Sequence, residues 1–111
     1  MSTDPYIYIW EYQVRAEAEA DFLAHYHPDG AWSRLFRRSP GYLGTELYRD
    51  RERRERFITI DRWRSEADFH EFRARFAAAF DTLDHRCSDF TTQERRLGSF
   101  VPVTGAASAA R

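Results

Sequence analysis

Two hydrophobic spacings divide the first half of the chain into strands and helices. The opening run YIYIWEYQV, residues 6–14, is rich in aromatic and β-branched side chains and is typical of a strand covered on both faces. Apolar residues at four-residue intervals then predict a helix over residues 16–26, and a second helical stretch follows the break at residues 28–30. Two further strands, YLGTELYR and RFITIDRW, are joined by DRERRE. Because this connection is too short for a crossover, it predicts an antiparallel hairpin.

The second half of the chain shows the clearest helical pattern. Ser65 has the character of an N-cap, with Asp68 three residues further on. The helix that follows is predicted from apolar side chains recurring at spacings of three and four, namely Phe69, Phe72, Phe76, Phe80 and Leu83. A last strand is predicted within residues 87–100. The order is therefore β-α-β-β-α-β, an α+β sandwich of the ferredoxin-like type.

This order predicts one domain over residues 6–100, preceded by an arm at 1–5 and followed by a flexible tail at 101–111, where Ala, Ser, Gly and Thr dominate. In such a fold both helices cover one face of a four-stranded antiparallel sheet. The alternation of the opening strand places Ile7 and Ile9 on one side and the even-numbered aromatic residues on the other, so the uncovered side would expose an apolar patch. We therefore expect a homodimer that closes through the sheet face.

Charge and cysteine content restrict the partners and the compartment. The 17 basic and 18 acidic residues give a formal net charge of -1, so we expect no nucleic-acid partner. No stretch approaches the about 20 apolar residues of a membrane span, and no metal site or C-x-x-C motif is predicted from the single cysteine, Cys87. A lone cysteine is usually a small packed hydrophobe, and its presence favours a reducing, cytoplasmic environment.

Three strings of the chain resemble the antibiotic biosynthesis monooxygenase family of the dimeric α+β barrel superfamily. They are the opening strand YIYIWEYQV, the string SRLFRRSPGYLGTEL, and the strand-to-helix join ITIDRWRSEADFHEF. The resemblance implies a homodimer with a pocket between sheet and helices, in which relatives oxidise aromatic phenols to quinones with dioxygen and no metal or flavin cofactor. It also places the relatives' pocket Trp at Trp63, their Asn at Thr59 and their Tyr at Phe69.

Several side chains are candidates for catalysis. Asp61 shares a strand face with Thr59 and Trp63, and an unpaired carboxylate in an apolar pocket could act as a general base. Glu46 lies in another half-buried strand, and His25 follows Phe22 by three residues, which would bring it to the pocket side of the first helix. The alternative is structural: carboxylates paired with arginines on neighbouring strands, and an imidazole hydrogen-bonded to backbone.

The candidate substrate-binding residues are Thr59, Trp63, Phe69, Trp32 and Tyr26. Three functions remain open from the sequence. The first is a cofactor-independent monooxygenase-like enzyme acting on a small aromatic or quinone-like substrate. The second is a non-catalytic dimer that binds a small ligand or a partner protein. The third is haem binding or degradation, for which His70 would be the axial ligand, although its position at the edge of the helix stripe favours a surface histidine.

Overall fold

A computed structural model describes residues 4–103 and confirms the order of elements predicted from the sequence. Each of the two predicted helical regions is divided into two helices. The first region also begins with a 3-10 turn at Ala16–Ala18. The elements run β1 (Tyr6–Val14), α1 (Glu19–Tyr26), α2 (Ala31–Phe36), β2 (Tyr42–Arg49), β3 (Arg56–Trp63), α3 (Glu66–Arg75), α4 (Ala77–Cys87) and β4 (Thr91–Phe100).

The four strands form one antiparallel sheet in the order β2-β3-β1-β4. β3 lies between β1 and β2, so a residue of β3 has a partner on each side. Asp61 is opposite Tyr8 of β1 and opposite Thr45 of β2. Because side chains directly opposite in a sheet share a face, these three side chains are neighbours on the same side.

The helices cover the face to which the even-numbered residues of β1 and the odd-numbered residues of β3 point. Tyr12 packs edge-on against Phe22 of α1, and Trp63 contacts Phe72 of α3. Ser65 caps α3 as predicted, since its hydroxyl accepts a hydrogen bond from the Asp68 amide at 3.1 Å. The largest fully buried side chains are Trp63, Phe22, Phe57, Phe72 and Cys87.

The helix predicted to continue unbroken through Leu83 is instead interrupted at Phe76. That residue has φ -111° and ψ 29°, outside the helical region, and separates α3 from α4. Neither Pro nor Gly occurs at the break, and the three-and-four spacing continues across it. The bend lets Phe72 pack on Trp63 while Phe80, in the next helix, packs on Trp32.

The opposite face of the sheet has no helix over it in the described part of the chain. It carries Ile7, Ile9 and Glu11 of β1 beside Ile58 and Ile60 of β3. Glu11 is only 7% exposed, because Arg56 and Arg95 lie against its carboxylate from the two neighbouring strands. Cross-strand ion pairs therefore neutralise Glu11 on this open sheet face.

The predicted arm and tail lie at the limits of the described residues. Residues 1–3 and 104–111 fall outside them, so the tail prediction can be followed only over residues 101–103, which are exposed and without regular structure. No helix within residues 4–103 is long and apolar enough to cross a membrane.

Candidate functional site

A cavity of about 350 Å³ lies between the helix-covered face of the sheet and the helices. Its volume falls within the range of small-molecule pockets, about 300–1,000 Å³. All four strands and all four helices contribute to its wall. The lining residues are Tyr6, Tyr8, Trp10, Tyr12, Tyr26, Trp32, Phe36, Thr45, Thr59, Asp61, Phe69, Arg73, Phe80, Asp84, Glu94 and Arg96.

The aromatic wall follows from the alternation of β1. The side chains at positions 6, 8, 10 and 12 all point to the same face, and each is a Tyr or Trp. Phe69 of α3 packs 5.3 Å from the Tyr8 ring, and Phe80 of α4 packs 4.9 Å from the Trp32 ring, measured between centroids. The cavity thus offers flat apolar surfaces on the sheet side and on the helix side.

Asp61 is the acidic group that faces this aromatic cavity from β3. Asp61 is only 7% exposed, and this burial raises the pKa of its carboxyl from 3.8 to about 7. The Thr45 hydroxyl donates a hydrogen bond to Asp61 Oδ1 and opposes that rise. A carboxyl in this environment exchanges its proton near neutral pH, which suits a general base.

Thr45 connects Asp61 to two further hydroxyl groups. The Tyr42 hydroxyl is hydrogen-bonded to Thr45 Oγ1 and lies 3.1 Å from Ser33 Oγ of α2. No lysine, arginine or histidine forms an ion pair with Asp61 in the part of the chain that the structure describes. The charge of Asp61 is therefore stabilised by a chain of neutral hydroxyls, not by a cation.

Two tyrosines of β1 place hydroxyl groups in the same wall. The Tyr12 hydroxyl and Thr59 Oγ1 are 3.1 Å apart and share a hydrogen bond, while Tyr8 accepts one from Trp63 Nε1 at 3.2 Å. Burial raises the pKa of both phenols well above 10, and the Asp61 carboxylate adds to the effect. Both tyrosines thus stay protonated and can act as hydrogen-bond donors.

Charged residues of α3, α4 and β4 also line the cavity. Arg73 lies over the Phe80 ring, 3.7 Å from its centroid, and Arg96 donates a hydrogen bond to the Tyr6 hydroxyl at 3.2 Å. Glu94, opposite Tyr12, accepts a hydrogen bond from Thr91 at 2.9 Å, and desolvation raises the pKa of its carboxyl. The basic and acidic groups thus occupy different positions along β4.

The structure brings five of the eight candidate residues from the sequence into the cavity wall. Asp61, the predicted base, is one of them. The other four were predicted to bind substrate, and they are Thr59, Phe69, Trp32 and Tyr26. Their roles in binding stay predictions.

Trp63, predicted to bind substrate, does not line the cavity. It is 0% exposed and is enclosed by Phe36, Tyr42, Phe69 and Phe72. Strand alternation indicated the face of Trp63 correctly but not its depth: Phe69, whose ring centroid lies 5.2 Å from that of Trp63, lines the cavity, whereas Trp63 does not. Trp63 supports the wall by holding the Tyr8 hydroxyl.

Two of the three candidate bases lie away from the cavity. His25 Nδ1 donates to the Asp21 carbonyl oxygen at 2.7 Å, because Phe22 and Tyr26 occupy the inward side of α1. Glu46 points to the open sheet face, where it pairs with Arg62 and accepts a hydrogen bond from Tyr48. Both residues thus have the structural roles that were the alternative to catalysis: the His25 imidazole is hydrogen-bonded to backbone, and the Glu46 carboxylate is paired with an arginine.

Sequence reasoning did not single out Thr45, Tyr8 or Tyr12 as site residues. A signal was present for Thr45, because in the β2–β3 hairpin each pair of opposite residues from Gly44 to Arg49 has numbers that sum to 106. That register places position 45 opposite position 61. For Tyr8 and Tyr12, the alternation of β1 already placed them on one face, but it did not indicate which face the helices cover.

Residues 4–103 contain no group of three or more His, Cys, Asp or Glu side chains placed to hold a metal ion. His70, the candidate haem ligand, is exposed on α3, and its Nε2 lies 3.1 Å from Glu66 Oε2. Its exposure agrees with the surface position expected from the helix pattern. The cavity wall includes no imidazole among the described residues.

A four-stranded antiparallel sheet, with helices on one face and an aromatic cavity beneath them, defines an α+β protein of the ferredoxin-like type. The sequence of residues 5–82 matches that of the antibiotic biosynthesis monooxygenase family. The chain belongs to this family, as its three characteristic strings indicated.

Solved structures show the same fold at low sequence identity. SnoaB, a cofactor-independent oxygenase from Streptomyces nogalater, is 19% identical, with 92% of this chain and 96% of SnoaB covered and a TM-score of 0.70. Rv0793 from Mycobacterium tuberculosis is 17% identical, with 92% and 98% covered and a TM-score of 0.71. A protein from Bordetella bronchiseptica is 23% identical, with 91% and 99% covered and a TM-score of 0.72. Comparison with functionally curated proteins gives no match.

Proposed function

We propose that the protein is a cofactor-independent monooxygenase that oxidises a small aromatic phenol or hydroquinone-like substrate in the cavity. The observation that carries the proposal is Asp61, a carboxyl with a pKa of about 7 facing an aromatic-lined space. Family membership and the likeness to SnoaB, itself a cofactor-independent oxygenase, support the same reaction class.

In the proposed reaction, Asp61 removes a proton from a substrate such as an anthrone. The resulting carbanion is electron-rich enough to reduce dioxygen directly. One oxygen atom forms the new carbonyl of the quinone, the other leaves as water, and the methylene carbon loses both hydrogens. The Tyr and Phe rings on either side of the cavity would hold the flat substrate, so the reacting carbon stays near the Asp61 carboxylate.

Tyr8 would supply the hydrogen bond to the substrate oxygen. The family resemblance places the relatives' pocket Tyr at Phe69, whose ring offers only an apolar face. The Tyr8 hydroxyl accepts from Trp63 Nε1, and no acceptor for its own proton lies among residues 4–103. Tyr8 is directly opposite Asp61 in the β1–β3 pair. A substrate oxygen beside Asp61 can therefore accept a hydrogen bond from the Tyr8 hydroxyl as negative charge develops on that oxygen.

The test is oxygen uptake with dithranol, an anthrone, as substrate. We expect protein-dependent uptake that falls at least about a hundredfold in Asp61→Asn, since loss of a general base typically costs 10²–10⁴ in rate. Glu46→Gln is the matched control, because it also removes a strand carboxylate but on the open sheet face. Equal rates in Asp61→Asn and wild type would rule out Asp61 as the base.

The same experiment separates the enzyme from a non-catalytic binding protein. If dithranol and related quinones bind but no member of a panel of anthrones and hydroquinones supports uptake, the protein is a ligand-binding member of the family. The phenyl ring of Phe69, at the position where the family resemblance implies a phenol, favours this second function.

We also propose that the protein works as a homodimer through the open sheet face. Ile7, Ile9, Ile58 and Ile60 lie together there, and Tyr48 and Leu97 are large exposed apolar residues on the two edge strands, β2 and β4. The two carboxylates nearby are already paired with arginines, Glu11 with Arg56 and Arg95 and Glu46 with Arg62. An apolar face without an unpaired acidic group at its centre is suited to packing against a second copy.

A further inference from the structure

We propose that the substrate carries a carboxylate, which is bound by the two unpaired arginines of the cavity wall, Arg73 and Arg96. This inference rests on the proposed function, because it names the chemical class of substrate that the same cavity takes. The two guanidinium groups approach the cavity from opposite sides, Arg73 from α3 and Arg96 from β4.

Neither arginine is neutralised by a carboxylate within the described part of the chain. No carboxylate of residues 4–103 forms an ion pair with Arg73 or Arg96. Arginines on the open sheet face differ in this respect, since Arg95 pairs with Glu11 and Arg62 pairs with Glu46. The arginines that face the cavity are thus left available for a ligand anion.

Both guanidinium groups are nevertheless held in place by aromatic residues of the wall. Arg73 is half-buried and stacks on Phe80, and Arg96 donates to the Tyr6 hydroxyl. Such contacts fix the position of a guanidinium without using up its charge, and they leave other N–H groups free to donate. A planar guanidinium group fixed in this way can donate two parallel hydrogen bonds to the two oxygens of a carboxylate.

The other charges of the cavity determine which end receives the anion. Glu94 is opposite Tyr12, whereas Arg96 is opposite Trp10, nearer to Tyr6. Asp84 also lines the cavity, and its negative charge adds to the desolvation that raises the pKa of the Glu94 carboxyl. A ligand carboxylate is repelled from Glu94 and attracted to Arg96, which fixes the direction of the substrate along β4.

This direction places the rest of the substrate beside the proposed base. Trp10, the partner of Arg96, is two residues from Tyr8 on the same face of β1, and Tyr8 is opposite Asp61. Two residues along a strand span about 6.5–7 Å, roughly the width of one or two aromatic rings. An aromatic carboxylate bound by Arg96 therefore extends its ring system past Tyr8 toward Asp61.

The test compares two ligands that differ only in charge. Anthracene-9-carboxylate and anthracene-9-carboxamide have closely similar shapes and neither is an anthrone, so calorimetric titration measures binding apart from turnover. We expect the wild type to prefer the carboxylate. Arg73→Gln and Arg96→Gln should each weaken carboxylate binding about tenfold and leave amide binding unchanged.

Two further variants control for charge and folding. Arg75→Gln removes an exposed arginine two residues further along α3, outside the cavity wall, and should leave both affinities unchanged. Arg96→Lys should restore part of the carboxylate affinity, since it keeps the positive charge but not the planar fork. Circular dichroism and thermal unfolding would show that each variant is folded.

The outcomes separate this inference from the proposed function. If Arg73→Gln and Arg96→Gln bind the carboxylate as the wild type does, or lose both ligands equally, the inference is wrong. If the charge preference is present but no anthrone or hydroquinone is oxidised, the arginine site stands and the proposed reaction fails. If neutral anthrones are oxidised and no charge preference is found, the reaction stands and the arginine site fails.

Discussion

Thr45 lies directly opposite Asp61 in the β2–β3 pair, and its hydroxyl donates a hydrogen bond to Asp61 Oδ1. This contact stabilises the charged form of a carboxyl that burial would otherwise keep protonated. The pKa of about 7 is the balance of a large desolvation effect and this smaller opposing one. A base that is half-ionised near neutral pH thus depends on a residue of the neighbouring strand.

Replacing Thr45 by Val tests this dependence. The substitution removes the hydroxyl while keeping a β-branched side chain, so the pKa of Asp61 should rise above about 7. The acidic limb of the rate–pH profile should move to higher pH by the same amount. Thr82→Val, at an exposed position on α4, is the control and should leave the profile unchanged. A profile that does not move in Thr45→Val would show that the limb belongs to another group.

The raised pKa of Asp61 also predicts how stability depends on pH. Between about pH 4 and 7 the folded protein holds a proton on Asp61 that the unfolded chain has released, so this group's contribution destabilises the fold increasingly as pH rises. The gap between 3.8 and about 7 corresponds to as much as about 4 kcal/mol, since one pKa unit is about 1.4 kcal/mol. Asn at position 61 cannot ionise and removes this contribution.

The difference in unfolding free energy between Asp61→Asn and wild type should therefore favour the variant increasingly from pH 4 to 7 and level off above. Urea unfolding at several pH values measures it directly. Other carboxyls, such as Glu94, titrate in both proteins and cancel in the comparison. Parallel stability curves would mean that the pKa of Asp61 is not raised in the folded protein.

Hydrophobic spacing was enough to predict the fold. The bounds of β2 and β3 follow from YLGTELYR and RFITIDRW, and the charged connection between them predicts the hairpin. The break at Phe76 could not be predicted, because Phe72, Phe76 and Phe80 keep helical spacing across it and no Pro or Gly marks it. The bend depends on two different packing partners, which only the tertiary structure provides.

The site was predictable only in part for a related reason. Strand alternation assigns a residue to a face, and it correctly grouped Thr59, Asp61 and Trp63. It does not report depth, and Trp63 is enclosed while Asp61 reaches the cavity. Adjacent residues of a helix are rotated by about 100° from each other. Tyr26 points inward from α1 and its neighbour His25 lies at the edge, a difference that the spacing from Phe22 did not reveal.

Trp63 and Tyr8 share one hydrogen bond but should respond differently to substitution. Trp63→Phe loses buried volume as well as the indole N–H, and we expect it to lower the free energy of unfolding by about 1–3 kcal/mol. Tyr8→Phe removes a hydroxyl at the cavity wall and leaves the buried Trp63 Nε1 without its acceptor, so it should weaken binding of a phenolic ligand as well as lower the free energy of unfolding. Urea unfolding and calorimetric titration of 1-naphthol measure the two effects. Equal effects of both substitutions on ligand affinity would contradict the supporting role assigned to Trp63.

The open sheet face should determine the oligomeric state. Ile9 lies opposite Ile60 of β3 and opposite Gly98 of β4, which places it near the middle of this face. Lysine at position 9 would bury an uncompensated charge in a sheet-to-sheet interface, so Ile9→Lys should convert a dimer into a monomer. Light scattering coupled to size-exclusion chromatography measures the mass, and circular dichroism checks the fold. Ala74→Lys adds the same charge to the exposed side of α3 and should leave the wild-type mass unchanged. A wild-type protein that runs as a monomer at micromolar concentration, or an Ile9→Lys variant that remains dimeric, would remove this face as the interface.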